Sequence, residues 1–295
     1  MSAVAEGIHP WRPRTTRDTT ASAVAHDEPW IALDWCDPHE GLLLVADSWR
    51  VIDGRARGLD RHRARFCAAA REYRDDADDF WRDVLAALPS SGDWFPRVEL
   101  RERADGTQFR LRLRPTPPTI GTVDVMTAPY DPRTRPLVKG PDLDALQSLR
   151  VAVQPSGASE AIIVDARGRI VEGAYSGLLW WRGETLERAS GALPRIPSVT
   201  VDLVIEAARA AGVTIVEVDA RPADLADCEL WVLSALHGLR TAQHWINGPK
   251  LAPPRHAERG RDWLTAAFLD LYPDRGAPTL GGCQILPVRG ARPID

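Results

Sequence analysis

The chain has 295 residues, of which 44% are hydrophobic and 26% are charged, a balance typical of a soluble globular protein with one large or two moderate domains. Its formal net charge of −4 gives no reason to expect a nucleic-acid partner, and no apolar run reaches membrane-spanning length. The four cysteines are far apart and form no CxxC pair, which predicts neither a metal site nor a disulfide framework and favours a cytoplasmic location.

The N-terminal part of the sequence predicts a tail followed by a small α/β domain. Residues 1–28 are polar and lack the apolar segment of a signal peptide, so we expect a disordered tail. Residues 29–130 form the predicted domain. "GLLLVADSWRVIDGRARG" predicts strands about an Asp53-Gly54 turn, and "VELRERADGTQFRLRL" predicts a hairpin that turns at Asp105-Gly106. Between them, "RHRARFCAAAREY" and "DDADDFWRDVLAAL" predict two helices.

The C-terminal part predicts a second, larger α/β domain with a mostly β core. A Pro-rich stretch at residues 131–138 is typical of an interdomain linker, and residues 139–295 follow it. Their pattern predicts a helix over residues 141–152, the strand pair "EAIIVDARGRIVEG", the helix "VDLVIEAARAAG" and the strands "VTIVEVDA" and "CELWVLSAL". The overall fold class is therefore α/β (α+β) with two domains, and ligand sites favour domain interfaces.

Lysine is rare in this chain. Lys139 and Lys250 are its only lysines, so 37 − 2 = 35 of the Lys+Arg residues are arginines. An arginine serves well in a salt bridge, but it cannot lose its proton and attack a carbonyl as a partly buried lysine can. Lys139 lies just beyond the predicted linker and is a candidate nucleophile. Lys250 follows "INGP", a turn, and is interpreted as a surface lysine.

The segment "SVTVDLVIEAARAAG" predicts a helix whose start has two interpretations. Ser198 and Thr200 follow a proline at the helix N-terminus, where a hydroxyl commonly caps the free backbone N–H groups. The same N–H groups and hydroxyls are also suited to hold a phosphate. This stretch alone does not decide between a cap and a phosphate site.

Four motifs, in one order, resemble those of the class IV, fold-type IV pyridoxal-phosphate enzymes. That family includes branched-chain and D-amino-acid aminotransferases and 4-amino-4-deoxychorismate lyase. The first motif, "VIDGRARGLDRHRARF", resembles the family's strand-turn-strand before H-x-x-R-[LF]. The lysine segment with "SEAIIVDARGRIVEG", then "IPSVTVDLVIEAARAAG" and "DCELWVLSALHGLR", resemble its later motifs. The resemblance covers roughly residues 41–245 and implies a two-domain fold-type IV architecture.

The resemblance also implies pyridoxal 5'-phosphate as cofactor and assigns roles to individual residues. Lys139 falls on the lysine that bonds covalently to the cofactor, and Glu172 on the carboxylate opposite the pyridine nitrogen. Arg65 falls on the arginine that binds the cofactor phosphate. The remaining implied cofactor contacts are Ser198, Val199, Thr200, Ser234 and Ala235.

Several positions depart from the family pattern. Leu143 and Asp144 stand where the family often has a Tyr or Arg near the cofactor's phenolic oxygen. Gly177 replaces an Asn, Ser198 replaces a Gly, and Val201 replaces an Arg. These departures affect the assignment of the substrate more than that of the cofactor.

Three hypotheses about function remain open from the sequence. The first is a lyase that releases pyruvate from aminodeoxychorismate to give 4-aminobenzoate, because "SALHGLR" offers His237 or Arg240 to a carboxylate. Ser48 is a further candidate substrate contact. The second is an aminotransferase of branched-chain or D-amino-acid type, and the third is a degenerate relative without cofactor. We expect a small-molecule amino substrate, no nucleic-acid or membrane partner, and, by resemblance, a homodimer.

Overall fold

A computed structural model describes residues 3–13, 29–31 and 40–271. Within them lie five α-helices: α1 (Leu59–Ala70), α2 (Ala77–Ala87), α3 (Leu143–Val153), α4 (Val199–Ala210) and α5 (Ala257–Ala266). The strands are β1 (Gly7–Pro10), β2 (Leu42–Ser48), β3 (Val51–Ile52), β4 (Arg55–Arg57), β5 (Asp93–Trp94), β6 (Arg97–Arg103), β7 (Gly106–Leu113), β8 (Thr122–Thr127), β9 (Glu160–Val164), β10 (Ile170–Gly173), β11 (Gly177–Arg182), β12 (Thr185–Ala189), β13 (Ile215–Val218), β14 (Glu229–Ser234), β15 (Gly238–Ile246) and β16 (Phe268–Asp270).

The N-terminal half is a four-stranded antiparallel sheet, in the order β1-β7-β6-β2, packed against helices α1 and α2. An aromatic core fills the space between them. Phe80 stacks on Phe109 at 4.5 Å between ring centroids, and Trp49 lies 4.8 Å from Trp81. All four side chains are buried, so Trp49 belongs to the core. Large aromatic side chains such as these dominate core burial.

Strand β1 was not predicted by the sequence, which places residues 1–28 in a disordered tail. Residues 7–10 instead pair in antiparallel register with β7 and are buried. A single sequence gives no signal for a four-residue edge strand whose partner lies about a hundred positions away. Residues 14–28 of the predicted tail lie outside the described residues.

The C-terminal half is built on one mixed eight-stranded sheet in the order β10-β9-β8-β15-β14-β11-β12-β13. Strand β11 shows why this sheet is buried on both faces. Leu178 and Trp180 face one core cluster, while Leu179 and Trp181 face another beneath helices α4 and α5. A continuous apolar run is what a strand covered on both faces requires. The two-domain α/β fold class predicted from the sequence is confirmed.

Strand β8 belongs to the large sheet. The sequence analysis includes it in the N-terminal domain, yet it runs parallel to both β9 and β15. Strand β15, its main partner, was not predicted, because its buried Arg240 and Thr241 obscure the apolar alternation. We therefore propose that the boundary between the halves lies just before Thr122 and not at residues 131–138.

A third, small sheet in the order β16-β4-β3-β5 lies beside the two larger ones. It contains the Asp53-Gly54 turn, where both residues have positive φ, 46° and 70°. No helix among the described residues is long and apolar enough to span a bilayer.

Candidate active site

All eleven candidate residues named from the sequence line one cavity, whose volume is about 350 Å³. Its walls come from the end of β2, helix α1, the segment before α3, the β10–β11 turn, the start of α4 and the β14–β15 turn. The candidate residues among its lining are Ser48, Arg65, Lys139, Glu172, Ser198, Val199, Thr200, Ser234, Ala235, His237 and Arg240. Lys250, the other lysine, is exposed and does not line this cavity.

The backbone of β2 fixes the position of Lys139. The N–H of Ala46 donates to the Lys139 carbonyl at 2.7 Å. Gly140 has a φ of 144°, and a Cβ there would lie 2.8 Å from the Cα of Val45, so only glycine permits this approach. Burial and the neighbouring Arg65 charge lower the pKa of the Lys139 amine to about 8. A useful fraction of that amine is therefore uncharged near neutral pH.

Glu172 lies in β10 and is buried beside Arg133. Its Oε1 accepts a hydrogen bond from Arg133 Nη1 at 2.6 Å, and both side chains are less than a tenth exposed. Arg133 is held in turn by Asp131 and by the Pro194 carbonyl. Burial raises the pKa of Glu172 to about 7, although Arg133 opposes the shift. A single arginine therefore does not fully compensate this buried carboxylate.

Arg133 was missed by the sequence analysis. It stands in the Pro-rich segment interpreted as a linker, where nothing distinguishes it from any other arginine of the chain. The tertiary contact with Glu172 alone identifies it.

Arg65 is bound to a buried aspartate, which the sequence did not indicate. Its Nε and Nη2 donate to Asp47 at 2.8 and 2.7 Å, and its Nη1 donates to the Pro197 carbonyl at 2.6 Å. His62 Nδ1 lies 2.8 Å from the same Asp47 carboxylate. These neighbours hold the pKa of Asp47 well below its usual range, against the effect of burial. His62 and Arg65 are three residues apart on α1, a spacing that places them on one helix face.

The start of α4 contains both a capping serine and backbone N–H groups that are free to bind a phosphate. Ser198 caps the helix, because its Oγ accepts the Val201 N–H at 3.4 Å. In the first helical turn, the N–H groups of Val199 and Thr200 have no acceptor within the helix. They remain available to an anion in the cavity.

Two departures from the family pattern have a packing explanation here. A Cβ at Gly177 would lie 2.4 Å from Val201 Cγ2 and 3.0 Å from Ser198 Oγ. Gly177 therefore allows β11 to approach the start of α4. Val201 is buried in the cluster beneath that helix, where an arginine would lack water.

The β14–β15 turn brings Ser234, His237 and Arg240 to the cavity. Ser234 Oγ accepts the His237 N–H at 3.2 Å, and Gly238 turns the chain with a φ of 69°. Burial and the Arg240 charge lower the pKa of His237 to about 4, so its ring is neutral at pH 7. Arg240 is itself buried and donates to Glu160 at 3.2 Å.

Besides Arg65, four arginines line the cavity: one on β6, one just after β7, one on α3 and one on β15. This arginine cluster consists of Arg97, Arg114, Arg150 and Arg240. Only Arg240 was predicted from the sequence. The other three come from separate elements, and nothing in the sequence distinguishes them from surface arginines.

Only two members of the arginine cluster are paired with a carboxylate of the described residues. Arg97 Nε lies 2.9 Å from Glu99, and Arg240 pairs with Glu160. Arg114 instead stacks over Phe95, with 5.1 Å from its Cζ to the ring centroid. Arg150 stacks over the Tyr175 ring at 4.9 Å. Arg114 and Arg150 therefore line the cavity without an ion-pair partner among the described residues.

The sequence profile of the family described as "Amino-transferase class IV" matches residues 44–245. Among curated proteins, none matches this sequence.

Solved structures with a similar fold include a hypothetical aminotransferase from Mycobacterium tuberculosis, with a TM-score of 0.67 and 21% identity over 76% of this chain and 87% of that one. The branched-chain amino acid aminotransferase from Escherichia coli gives a TM-score of 0.69 and 16% identity, over 81% and 89% of the two chains. The 4-amino-4-deoxychorismate lyase from Pseudomonas aeruginosa gives 0.65 and 20%, over 77% and 91%. At these identities the likeness shows a shared fold, and the fold-type IV architecture expected from the motifs is confirmed.

Proposed function

The chain belongs to the amino-transferase class IV family and is therefore a pyridoxal-phosphate-dependent enzyme; on that premise we propose that it acts as a 4-amino-4-deoxychorismate lyase, which releases pyruvate to leave 4-aminobenzoate. The observation that carries this proposal is the excess positive charge of the arginine cluster. A ring substrate with two carboxylates suits that charge, whereas a branched-chain amino acid does not.

The residues of the cavity fit the cofactor. Glu172 is a buried carboxylate whose pKa of about 7 reflects a shortage of positive charge, and a protonated pyridine nitrogen would supply it. The free N–H groups of Val199 and Thr200, with the Arg65 guanidinium, suit a phosphate. Lys139 lines the same cavity and offers its amine to the cofactor aldehyde.

The protein's own groups then have distinct tasks. When bound, pyridoxal phosphate supplies an electron-withdrawing ring that stabilises negative charge at the substrate's α-carbon. Lys139, with a pKa of about 8, would take the proton from that carbon; the C–O bond between the ring and the enolpyruvyl group would then break, and the departing enolpyruvate would gain a proton to become pyruvate. Glu172 keeps the ring nitrogen protonated. Ser234 and Ala235 offer a hydroxyl and backbone donors to the phosphate or to the substrate carboxylate.

The charge balance at the substrate end favours a dianionic substrate. Arg114 and Arg150 have no carboxylate partner among the described residues, and both are partly buried. An apolar substrate side chain would desolvate these guanidinium groups further without pairing them, which is unfavourable. Aminodeoxychorismate carries a ring carboxylate and an enolpyruvyl carboxylate, one for each. Ser48 and His237 lie in the adjoining wall as further substrate contacts.

An aminotransferase of branched-chain or D-amino-acid type is the second candidate. The observation in its favour is again Arg114 and Arg150, because either can pair with the side-chain carboxylate of an acidic amino donor. This candidate differs from the lyase in needing a keto-acid acceptor to complete its cycle.

The test is turnover by the cofactor-loaded protein with no keto acid present. The lyase proposal predicts continuous release of pyruvate and 4-aminobenzoate in equal amounts from aminodeoxychorismate. The aminotransferase alternative predicts instead one equivalent of keto acid per chain from an amino acid in a panel of L- and D-forms, with a lasting change in the cofactor spectrum. Absence of pyruvate together with that single turnover would reject the lyase.

A pair of variants links the result to the arginine cluster. Arg114→Met should raise the KM for aminodeoxychorismate about tenfold or more, since it removes a charged partner worth about 1.5–3 kcal/mol. Arg112→Met removes a guanidinium two residues earlier, in β7, that does not line the cavity, and the KM of this variant should match the parent's. If both variants had the KM of the parent protein, Arg114 would not contact the substrate.

A further inference from the structure

A second cavity, of about 440 Å³, lies next to the active-site cavity and shares His237 with it. Four arginines line this second cavity: Arg50, Arg55, Arg57 and Arg261. Among the described residues, no aspartate or glutamate lines it. None of these arginines takes part in the cofactor or substrate site above.

Arg57 is the central cation of the second cavity. Its guanidinium stacks over the Phe268 ring at 4.6 Å, and no carboxylate of the described residues pairs with it. The turn at Gly238 leaves room for it, because a Cβ there would lie 3.0 Å from Arg57 Nη1. Burial and the nearby Arg50 charge lower the pKa of Arg57 to about 10, and it stays protonated at neutral pH.

The other three arginines bring further positive charge to the second cavity. Arg50 is neutralised by Asp93, with Nε to Oδ1 at 2.8 Å. Arg261 donates only to a neutral acceptor, the carbonyl of Gly121, at 3.3 Å. Arg55 is exposed and has no ion pair among the described residues. Three guanidinium charges therefore line one concave surface, and none of them has a carboxylate partner among the described residues.

Arg57 is half-buried, and a half-buried guanidinium without a counterion is unfavourable, so an anion in the cavity would offset that cost. Planar guanidinium groups match phosphate and carboxylate oxygens in bidentate geometry. We propose that the second cavity binds a small polyanion, namely a phosphate ester or a di- or tricarboxylate with at least two negative charges. Such an anion is either the distal end of a substrate that extends past His237 or a separate effector.

The test is isothermal titration of inorganic phosphate, and in parallel citrate, into the cofactor-saturated full-length protein. Saturation with cofactor removes the phosphate cradle at α4 from the experiment, and sodium chloride holds the ionic strength constant. The arginine cluster of the active site can take an anion as well, so we expect one equivalent of anion per chain whose affinity is the same in Arg114→Met as in the parent. Arg57→Gln should weaken the affinity at least tenfold, and Arg261→Gln, a change at an exposed position, should weaken it several-fold.

Arg63→Gln is the matched control. Arg63 is an exposed arginine on α1, paired with Asp78 and outside both cavities. The anion affinity of this variant should therefore equal that of the parent protein. No heat with either anion, or affinities unchanged in both Arg57→Gln and Arg261→Gln, would overturn the proposal. If Arg57→Gln fails to fold, the Arg261 variant still decides.

A second measurement on the parent protein distinguishes an extension of the substrate site from a separate effector site. Bound phosphate that competes with the amino substrate in the spectral assay marks the cavity as an extension of the substrate site. Phosphate that binds together with the amino substrate marks it as a separate effector site.

Discussion

Replacing Arg133 with methionine should destabilise the protein in a pH-dependent way, because it leaves Glu172 as a buried carboxylate without its arginine. The guanidinium is 4% exposed and the carboxylate 9%. Removing one partner of such a buried pair typically costs about 3–5 kcal/mol. Because the carboxyl can take up a proton instead, each pH unit above the parent's pKa of about 7 adds at most about 1.4 kcal/mol of this cost. For a chain of this size each kcal/mol lowers Tm by about 2–4 °C, so we expect a fall of roughly 4–8 °C at pH 8.5.

The pH dependence has a definite sign. The pKa of Glu172 is raised from 4.5 to about 7, so its ionisation weakens the fold as the pH rises through that range. Without Arg133 the pKa of Glu172 rises further, so the stability of the fold continues to fall up to a higher pH. At pH 5 the carboxyl is protonated in both proteins, so the difference in Tm between them should be small.

Thermal unfolding of cofactor-free protein from pH 5 to 8.5 measures this effect, with Arg135→Met as control. Arg135 stands two residues away, but its side chain is 39% exposed and its partner Glu72 is 53% exposed. Exposed pairs contribute about 0–1 kcal/mol, so this variant should lose little stability at any pH. A Tm difference for Arg133→Met that does not grow with pH would refute the argument that Glu172 causes it.

Further predictions concern the cofactor and assembly. Lys139→Ala should abolish the covalent link that borohydride traps, whereas Lys250→Ala should leave it intact; a trapped peptide containing Lys250 would contradict the assignment. Glu172→Gln should keep the cofactor bound but lower turnover about a hundredfold or more, because a neutral amide does not hold the ring nitrogen's proton; unchanged turnover would make Glu172 merely structural. Arg65→Gln should weaken cofactor affinity and also stability, since Asp47 loses its cation. Adding Asp47→Asn should restore stability but not affinity, and recovery of both would show that Arg65 does not hold the phosphate. Light scattering should give a homodimer of the 32.5 kDa chain, and an active monomer would exclude a pocket shared between subunits.

The sequence named residues for the candidate site, but it did not predict the contacts between them. The family resemblance and the side-chain chemistry named eleven candidates, and all eleven line one cavity. Helix α4 was predicted because Val201, Val204, Ile205 and Ala208 repeat at helical spacing, and these side chains are buried.

Other elements could not be predicted from the pattern. Helix α5 buries only Ala257, Gly260 and Leu264 among many charged residues, so its apolar periodicity is weak. Asp47 and Arg133 become site residues only through tertiary contacts. Each is a charged side chain in a sequence that contains 41 acidic residues and 37 basic ones.

The two ends of the cofactor site contain the same kind of pair, a buried carboxylate with an arginine, yet their pKa shifts are opposite. Asp47 has both Arg65 and His62 within hydrogen-bonding distance, and its pKa is held well below the ordinary range. Glu172 accepts a hydrogen bond from Arg133 and has the charges of Arg195 and Lys139 farther away, and burial raises its pKa. The number of donors around each carboxylate explains the difference.

The difference has a consequence for how each end holds the cofactor. Asp47 stays ionised and takes up much of the charge of Arg65, so a phosphate there depends on the N–H groups at the start of α4 as well. Glu172 is still short of positive charge and gains from one more cation. Glu172 would therefore hold a protonated ring nitrogen at the end of the proposed site that lacks positive charge. The phosphate end is nearly neutral before binding, so cofactor affinity should depend on ring contacts as much as on Arg65.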